Sequence, residues 1–387
     1  MTLPKKVLII HKEGNAFNNP SLKCIIDLLV ENDVQISMHY LKSNASIPEL
    51  YPIKLFSYGR LHNKIKDIIF NKIANIKLLD LYEKILWKYY RYDFDLVIGV
   101  DRMGLIEAAA LSRIYGTALI FISFEIIFKS ETGNNYKRIE ILSSSYAKLW
   151  FVQDVIRQQC LISENKLKKD NSFILPLASA GIGEFSNKRL RSDLGIPENK
   201  NVAILMGSIA DWTMSKEIVN SIDTWPNNWV LIIHNRYGDT ALVIKKLNIN
   251  EQLYADKIYI SNHPSEMVDD MGYILNGVSA GIALYRPDFK SPSIGKNILY
   301  LGLSSGKIAT YLRYGIPVIM NNIGLYSDLA KERGFGVVIN NEFEIGKSLR
   351  EIEKNKDKYH NAGIEYFKKE LDFHKNKNKV YQNLSAL

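Results

Sequence analysis

Cysteine is nearly missing from this 387-residue chain: only Cys24 and Cys160 occur. Two are too few for a disulfide framework or a cysteine-based metal site, and the scarcity fits a reducing, cytoplasmic compartment. Long apolar runs are missing too. The nearest candidate, IEAAALSRIYGTALIFIS from Ile106, is interrupted by Arg113 and Gly116, so no membrane-spanning helix is predicted. At the start, Lys5 and Lys6 precede only VLII before His11 and Lys12, which is too short for a signal peptide. There is no GxGxxG, no short repeat and no low-complexity tract. What is present is ordinary: 47% hydrophobic and 24% charged residues, a balance that excludes disordered and fibrous classes. The length suggests two or three domains. Fifty basic against 41 acidic residues give a net charge of +9, which favours an anionic partner without naming one.

Short β-branched runs alternate with amphipathic stretches from end to end. The runs are 7–10, 34–38, 95–100, 118–123 and 149–152, then 202–207, 229–234, 257–261, 281–285, 316–320 and 336–339. They are almost continuously apolar, as parallel strands buried on both faces are. The series is therefore α/β: two Rossmann-like, doubly wound domains facing a cleft. The boundary is the polar stretch SAGIGEFSNKRLRSDLGIPENKN. The expected division is a domain over 1–178, a linker over 179–201, a second domain over 202–358, and final helices over 359–387 that cross back to the first domain. Ligands in such sheets sit beyond the carboxyl ends of the strands.

Two segments of the second half fit that position. In GLSSGKIATYLRYGIPVI (302–319), Ser304, Ser305 and Gly306 open a helix whose free N–H groups suit a diphosphate. Lys307, read as an exposed first-turn residue, adds a point charge. An ordinary capped helix with a solvent lysine has the same spacing. It is not a P-loop, because Leu301 and Ile308 stand where glycine and Ser/Thr belong. In GSIADWTMSKE (207–217), Gly207 and Ser208 allow close backbone approach and Lys216 follows one turn later. That is a second phosphate cradle, or a plain βα turn.

Taken in order, GSIADW, NWVLIIHNRYG, ISNHPSEM, AGIALYRP, SSGKIATYLRYGIPVIMNN and GFGVVI resemble the nucleotide-binding half of GT-B sugar-nucleotide glycosyltransferases, in the group around glycosyltransferase family four. The first half matches only in its βα rhythm. The resemblance implies transfer of a sugar from a nucleoside diphosphate sugar without an essential metal or other cofactor. It places Ser305, Gly306 and Lys307 at the diphosphate-binding helix start, and Lys216 near a second phosphate-binding basic residue. Ser208 falls in the loop beneath the phosphates, His234 at a strand end, and Ser261 to His263 where the base is met. Many members carry two glutamates eight positions apart on donor sugar and ribose. Here those positions are Gly302 and Thr310, which leaves Thr310 as the candidate ribose contact.

In the first half, Asp101 follows DLVIGV and Glu125 follows ALIFIS, both at strand carboxyl ends. Either carboxylate suits proton removal from an acceptor hydroxyl in an inverting reaction, or acceptor orientation in a retaining one. The loop HKEGNAFNNPS contains Gly14, a candidate for approaching the donor. Asp93 and Asp95 form a DFD that looks like a metal motif of another glycosyltransferase fold, but it leads straight into an apolar strand. Residues 54–91 carry nine Lys or Arg against three Asp or Glu, with Trp87, Tyr89 and Tyr90 among them. Such a stretch lies on an anionic membrane surface or is simply a solvated face. No nucleic-acid motif accompanies it. The chain therefore reads as a glycosyltransferase acting on a glycan or lipid-linked saccharide in surface polysaccharide or glycoconjugate assembly. A sugar-nucleotide epimerase of the same fold and a non-catalytic sugar- or nucleotide-binding subunit are the alternatives.

Overall fold

The computed structural model describes residues 2–11, 16–40, 48–57, 59–73, 75–90, 93–235, 240–249, 256–263 and 269–387. The chain divides into two compact units. The first holds Met1–Pro176 with Phe289–Asn297 and Phe373–Leu387; the second holds Leu177–Asp288 and Ile298–Asp372.

Among the described residues, the first unit has seven parallel strands: β1 (Lys6–His11), β2 (Gln35–Tyr40), β3 (Ile53–Phe56), β4 (Leu96–Val100), β5 (Ala118–Ile122), β6 (Ala147–Val152) and β7 (Ser172–Ile174). Their order is β3-β2-β1-β4-β5-β6-β7. The second unit has six: β8 (Asn201–Gly207), β9 (Trp229–Asn235), β10 (Ile258–Ser261), β11 (Ala280–Ala283), β12 (Val318–Asn321) and β13 (Gly336–Ile339), ordered β10-β9-β8-β11-β12-β13. All eleven runs expected from sequence are strands. The two additional ones, β3 and β7, are short edges with half-exposed side chains, so they lack the continuous apolar signature of the buried strands.

Central strands are apolar because helices cover both faces. Leu8, Ile9, Ile10, Val97 and Ile98 are fully buried in the first unit, as are Ile204, Leu205, Leu231 and Ile282 in the second. In each sheet the strand order reverses at one point, between β1 and β4 and between β8 and β11. Those two switch points are where a crevice opens at the strand ends.

Three boundaries differ from the sequence reading. Residues 179–201 are not a free connection but part of the second unit. Arg313 donates to the carbonyls of Gly181 and Ala180, and Gly183 N–H donates back to Arg313. The 289–297 segment joins the first unit: Asn297 Oδ1 accepts from Ile126 N–H at 3.0 Å and from buried Arg157 at 3.1 Å. Of the final helices, Lys356–Tyr366 packs in the second unit and only Phe373–Ser385 returns to the first. There Lys377 pairs with Glu31.

A buried ionic cluster lies within the first unit. Lys66 Nζ is 2.8 Å from Glu107 and 3.0 Å from Glu83, His39 Nε2 is 3.3 Å from Glu107, and Trp87 donates to Glu83. Burial pushes the Glu83 carboxyl up to about 7, against the opposing pull of Lys66. Lys66 and Trp87, both counted in the basic stretch 54–91, are thus interior groups and not part of any membrane-facing surface.

Candidate active site

At the switch point of the second sheet, strand β8 ends in Gly207 at φ +95°, a left-handed conformation that side chains with a Cβ avoid. The loop after it is pinned. Thr213 Oγ1 donates to Ser208 O, Ala210 N–H donates to Thr213 Oγ1, and Lys246 Nζ donates to Ile209 O. The Gly306–Arg313 helix begins beside this loop, since a Cβ on Gly207 would come 3.8 Å from Lys307 Cε. Ser305 caps the helix by accepting from Ile308 N–H. Its hydroxyl lies 2.7 Å from Tyr285 OH, just beyond β11. Trp212 stacks on Tyr285, with centroids 5.9 Å apart.

Lys307 is where the structure corrects the sequence most sharply. Read as a solvent lysine, it instead has a buried Nζ with no hydrogen-bond partner, 5.5 Å over the Tyr285 ring. Burial lowers its pKa from 10.5 to about 8. An ammonium removed from water with only a ring face for company is costly. Placed at a helix N-terminus next to a glycine loop, it is a cation prepared for an anion. Two segments about a hundred residues apart in sequence therefore meet, with Gly207 beside Lys307.

The other second-unit candidates distribute unevenly around it. His234 is buried at the end of β9, 3.3 Å from Ser261 Oγ, and Ser261 also accepts from His263 N–H. His234 pairs in register with Met206 and Ser261, so these groups share the carboxyl end of the sheet with Gly207. Thr310 is buried, one turn past Gly306. Lys216 is exposed on the short Ser215–Asn220 helix. Gly14 lies outside the described residues.

In the first unit, Asp101 and Glu125 line one cavity of about 540 Å³ at the β1/β4 switch point, with His11, Arg102, Tyr136 and Ser293. Asp101 is held at φ +53°, a strained conformation for a side chain with a Cβ. The Asp101–Tyr115 helix sits tight against β1: a Cβ on Gly104 would be 2.3 Å from Ile10 O. Asp101 Oδ1 accepts the N–H groups of Phe124 and Glu125 at 2.7 and 2.8 Å. Burial, and next the Glu125 charge, raise its pKa to about 7. Such a carboxylate can take or hold a proton near neutral pH. Asp93 and Asp95 serve the fold: Asp93 pairs with Lys6 and Asp95 accepts from the Lys5 and Lys6 N–H groups.

Tyr285, Tyr136 and Ser293 were not singled out from sequence. Tyr285 was within reach, because it follows β11 at a strand end. Ser293 was not, because its segment belongs to the second half in sequence and to the first unit in space.

Two doubly wound parallel sheets, each with its polar site at the switch point, define the GT-B glycosyltransferase fold, and comparison with solved structures agrees. HepE from Anabaena, solved with UDP and glucose, matches with a TM-score of 0.70 over 99% of this chain and 100% of its own, at 14% identity. WaaG, a glycosyltransferase involved in lipopolysaccharide biosynthesis, matches with a TM-score of 0.63 over 97% of this chain and 99% of its own, at 11% identity. The sucrose-phosphate synthase of Thermosynechococcus elongatus matches with a TM-score of 0.64 over 99% of both chains, at 10% identity. No family model matches the sequence, and no curated protein does.

Proposed function

We propose that this chain is a glycosyltransferase that moves a sugar from a nucleoside diphosphate sugar to a glycan or lipid-linked saccharide, in surface polysaccharide or glycoconjugate assembly. The observation that carries this reading is the buried, unpartnered Lys307 Nζ at the start of the 306–313 helix, beside Gly207. The diphosphate binds there. As the bond from the sugar's anomeric carbon to the diphosphate oxygen breaks, charge builds on the leaving group, and Lys307 with the helix N–H groups stabilises it. The acceptor hydroxyl oxygen bonds to the anomeric carbon. In an inverting transfer its proton passes to Asp101; in a retaining transfer it passes to the departing diphosphate, and Asp101 and Glu125 orient the acceptor. His234 and His263 stand on the base side and Thr310 toward the ribose. No metal is required, so activity persists in EDTA.

UDP and UDP-glucose, bound in the HepE structures, are the first ligands to try. Purified protein incubated with a panel of sugar nucleotides should release nucleoside diphosphate in the presence of acceptor. A sugar nucleotide converted to its epimer would instead mark an epimerase. Tight donor binding without any turnover would mark a binding subunit.

The enzyme works in the cytoplasm at the inner membrane face. Helices Arg60–Ile68 and Ile76–Tyr90 support this: Lys64, Lys84 and Lys88 are exposed beside exposed Leu61, Leu81 and Ile85. Lysines interleaved with apolar side chains suit an anionic lipid surface. Among the described residues, no helix is long and apolar enough to cross a membrane.

A further inference from the structure

We infer that Tyr285 is the positioning residue of the proposed diphosphate site: the face of its ring holds the Lys307 ammonium in place and keeps it charged until the donor arrives. The inference rests on the donor-site reading for what the lysine is for, not for how it is held.

Lys307 Nζ is buried and has no hydrogen-bond partner. An amine so placed loses its hydration and is driven toward the neutral form. A neutral amine carries no charge to set against a phosphate. Burial alone moves this group, and no neighbouring charge contributes. The described charged groups on the adjoining segments are engaged elsewhere or stand in solvent. Arg286 pairs with Glu217 at 2.6 Å, Lys246 donates to Ile209 O, and Asp211 is exposed. What faces the ammonium is the Tyr285 ring, 5.5 Å from Nζ to its centroid and within cation–π range. The negative face of the ring favours the charged amine and so opposes the effect of burial.

A ring does this only if it cannot turn away, and Tyr285 is fixed at three points. Asn321, the last residue of β12, accepts from its backbone N–H at 2.9 Å and donates to its carbonyl at 2.7 Å. Its hydroxyl lies 2.7 Å from Ser305 Oγ. Trp212 stacks against the ring with an interplanar angle of 23°. Ser305 is also the cap of the helix that carries Lys307, so ring and ammonium are tied to the same helix start. Burial pushes the Tyr285 hydroxyl up to about 12. The phenol therefore stays protonated through neutral pH and meets the lysine as a neutral ring face.

The test changes the electrons of the ring and hardly its shape. In the full chain, position 285 is filled by phenylalanine (Tyr285→Phe) and, by amber suppression, by trifluorophenylalanine, whose fluorines withdraw charge from the ring face. Lys307 is titrated by lysine-selective NMR, its signal being the one missing from Lys307→Met. UDP affinity is measured by calorimetry at pH 6 and pH 8. Tyr285→Phe keeps the ring face and should leave the Lys307 pKa close to that of wild type. The trifluoro ring should lower it by about half a unit or more relative to Tyr285→Phe. UDP affinity should then fall roughly two-fold at pH 8, where fewer of the lysines are charged, and not at pH 6, where nearly all are. Tyrosine packing alone would move the melting temperature and leave the titration unchanged. Equal Lys307 pKa values in the phenylalanine and trifluoro chains overturn the inference. If the trifluoro chain does not fold, monofluorophenylalanine should give a smaller drop in the same direction, and no drop there overturns the inference equally. A wild-type chain that binds no UDP, with the Lys307 pKa still lowered by fluorination, overturns the donor reading and leaves the hold of Tyr285 on Lys307 standing.

Discussion

Replacing Lys307 with methionine should make the protein more stable and its donor site defective. The side chain keeps nearly the same length and loses only the charge. In the folded chain, burial lowers the lysine pKa from 10.5 to about 8, and a drop of that size corresponds to about 3 kcal/mol against the charged form. The face of Tyr285 returns roughly 1 kcal/mol of that through its contact with the ammonium. At pH 7 the lysine is protonated in both folded and unfolded chains, so the full penalty applies and Lys307→Met should stabilise by roughly 2 kcal/mol. Between pH 8 and 10.5 the unfolded chain binds the extra proton. Wild-type stability therefore rises with pH through that window, and the gap to the variant closes. Urea unfolding of both proteins at pH 7, 9 and 10.5 measures this. Calorimetry with UDP at pH 7 measures the other half, an expected affinity loss on the order of 100-fold, the scale of losing a charge-assisted contact to a buried phosphate. A variant less stable than wild type at pH 7, with UDP affinity intact, would refute the reasoning, for Lys307 would then be a packing residue.

Three further outcomes follow from the same geometry. Asp101→Asn should lower turnover roughly 100-fold if Asp101 accepts the proton, and should abolish the decline of activity expected of wild type as pH falls through about 7; the pH–rate profile reads both, and that limb belongs to the Asp101–Glu125 pair jointly. Lys66→Met strands Glu83 and Glu107 in the interior and should destabilise by roughly 3–5 kcal/mol, read by urea unfolding. Reversing the charge of exposed Lys64, Lys84 and Lys88 together should weaken sedimentation with anionic vesicles, most at low salt, and leave the melting temperature within a few degrees; unchanged vesicle binding would make these helices an ordinary solvated face.

The periodicity of the sequence went far because parallel strands covered on both faces have little freedom in composition. Runs such as VLII and WVLIIH suit few other environments, and β1 and β9 appear where they stand. The rule that ligands sit at strand carboxyl ends drew attention to Asp101, Glu125 and Ser208, which follow β4, β5 and β8 in the structure, and Lys307 stands in the first turn of its helix as the sequence suggested. Edge strands β3 and β7 escaped because a half-exposed strand needs no continuous apolar run. The basic stretch 54–91 was legible as helical and charged, yet its lysines look alike in sequence: Lys64 is exposed while Lys66 is interior. Two residues apart on a helix turns a side chain to the other face, and only the packing partner says which face is inside.

The sequence by itself determined the architecture, because burying apolar surface at strand period leaves one economical arrangement of sheets and covering helices. Tertiary structure alone decided the electrostatics of the sites. Whether Lys307 is a solvated charge or a desolvated one depends on Tyr285 and Gly207, which the folding of distant strands brings beside it. Whether Asp101 titrates near 4 or near 7 depends on burial and on Glu125, presented by the next strand. Ser293 reaches the first-unit pocket only because the chain returns there after β11. A pKa follows from the dielectric and the charges within a few ångströms, and chain order does not fix which residues those are.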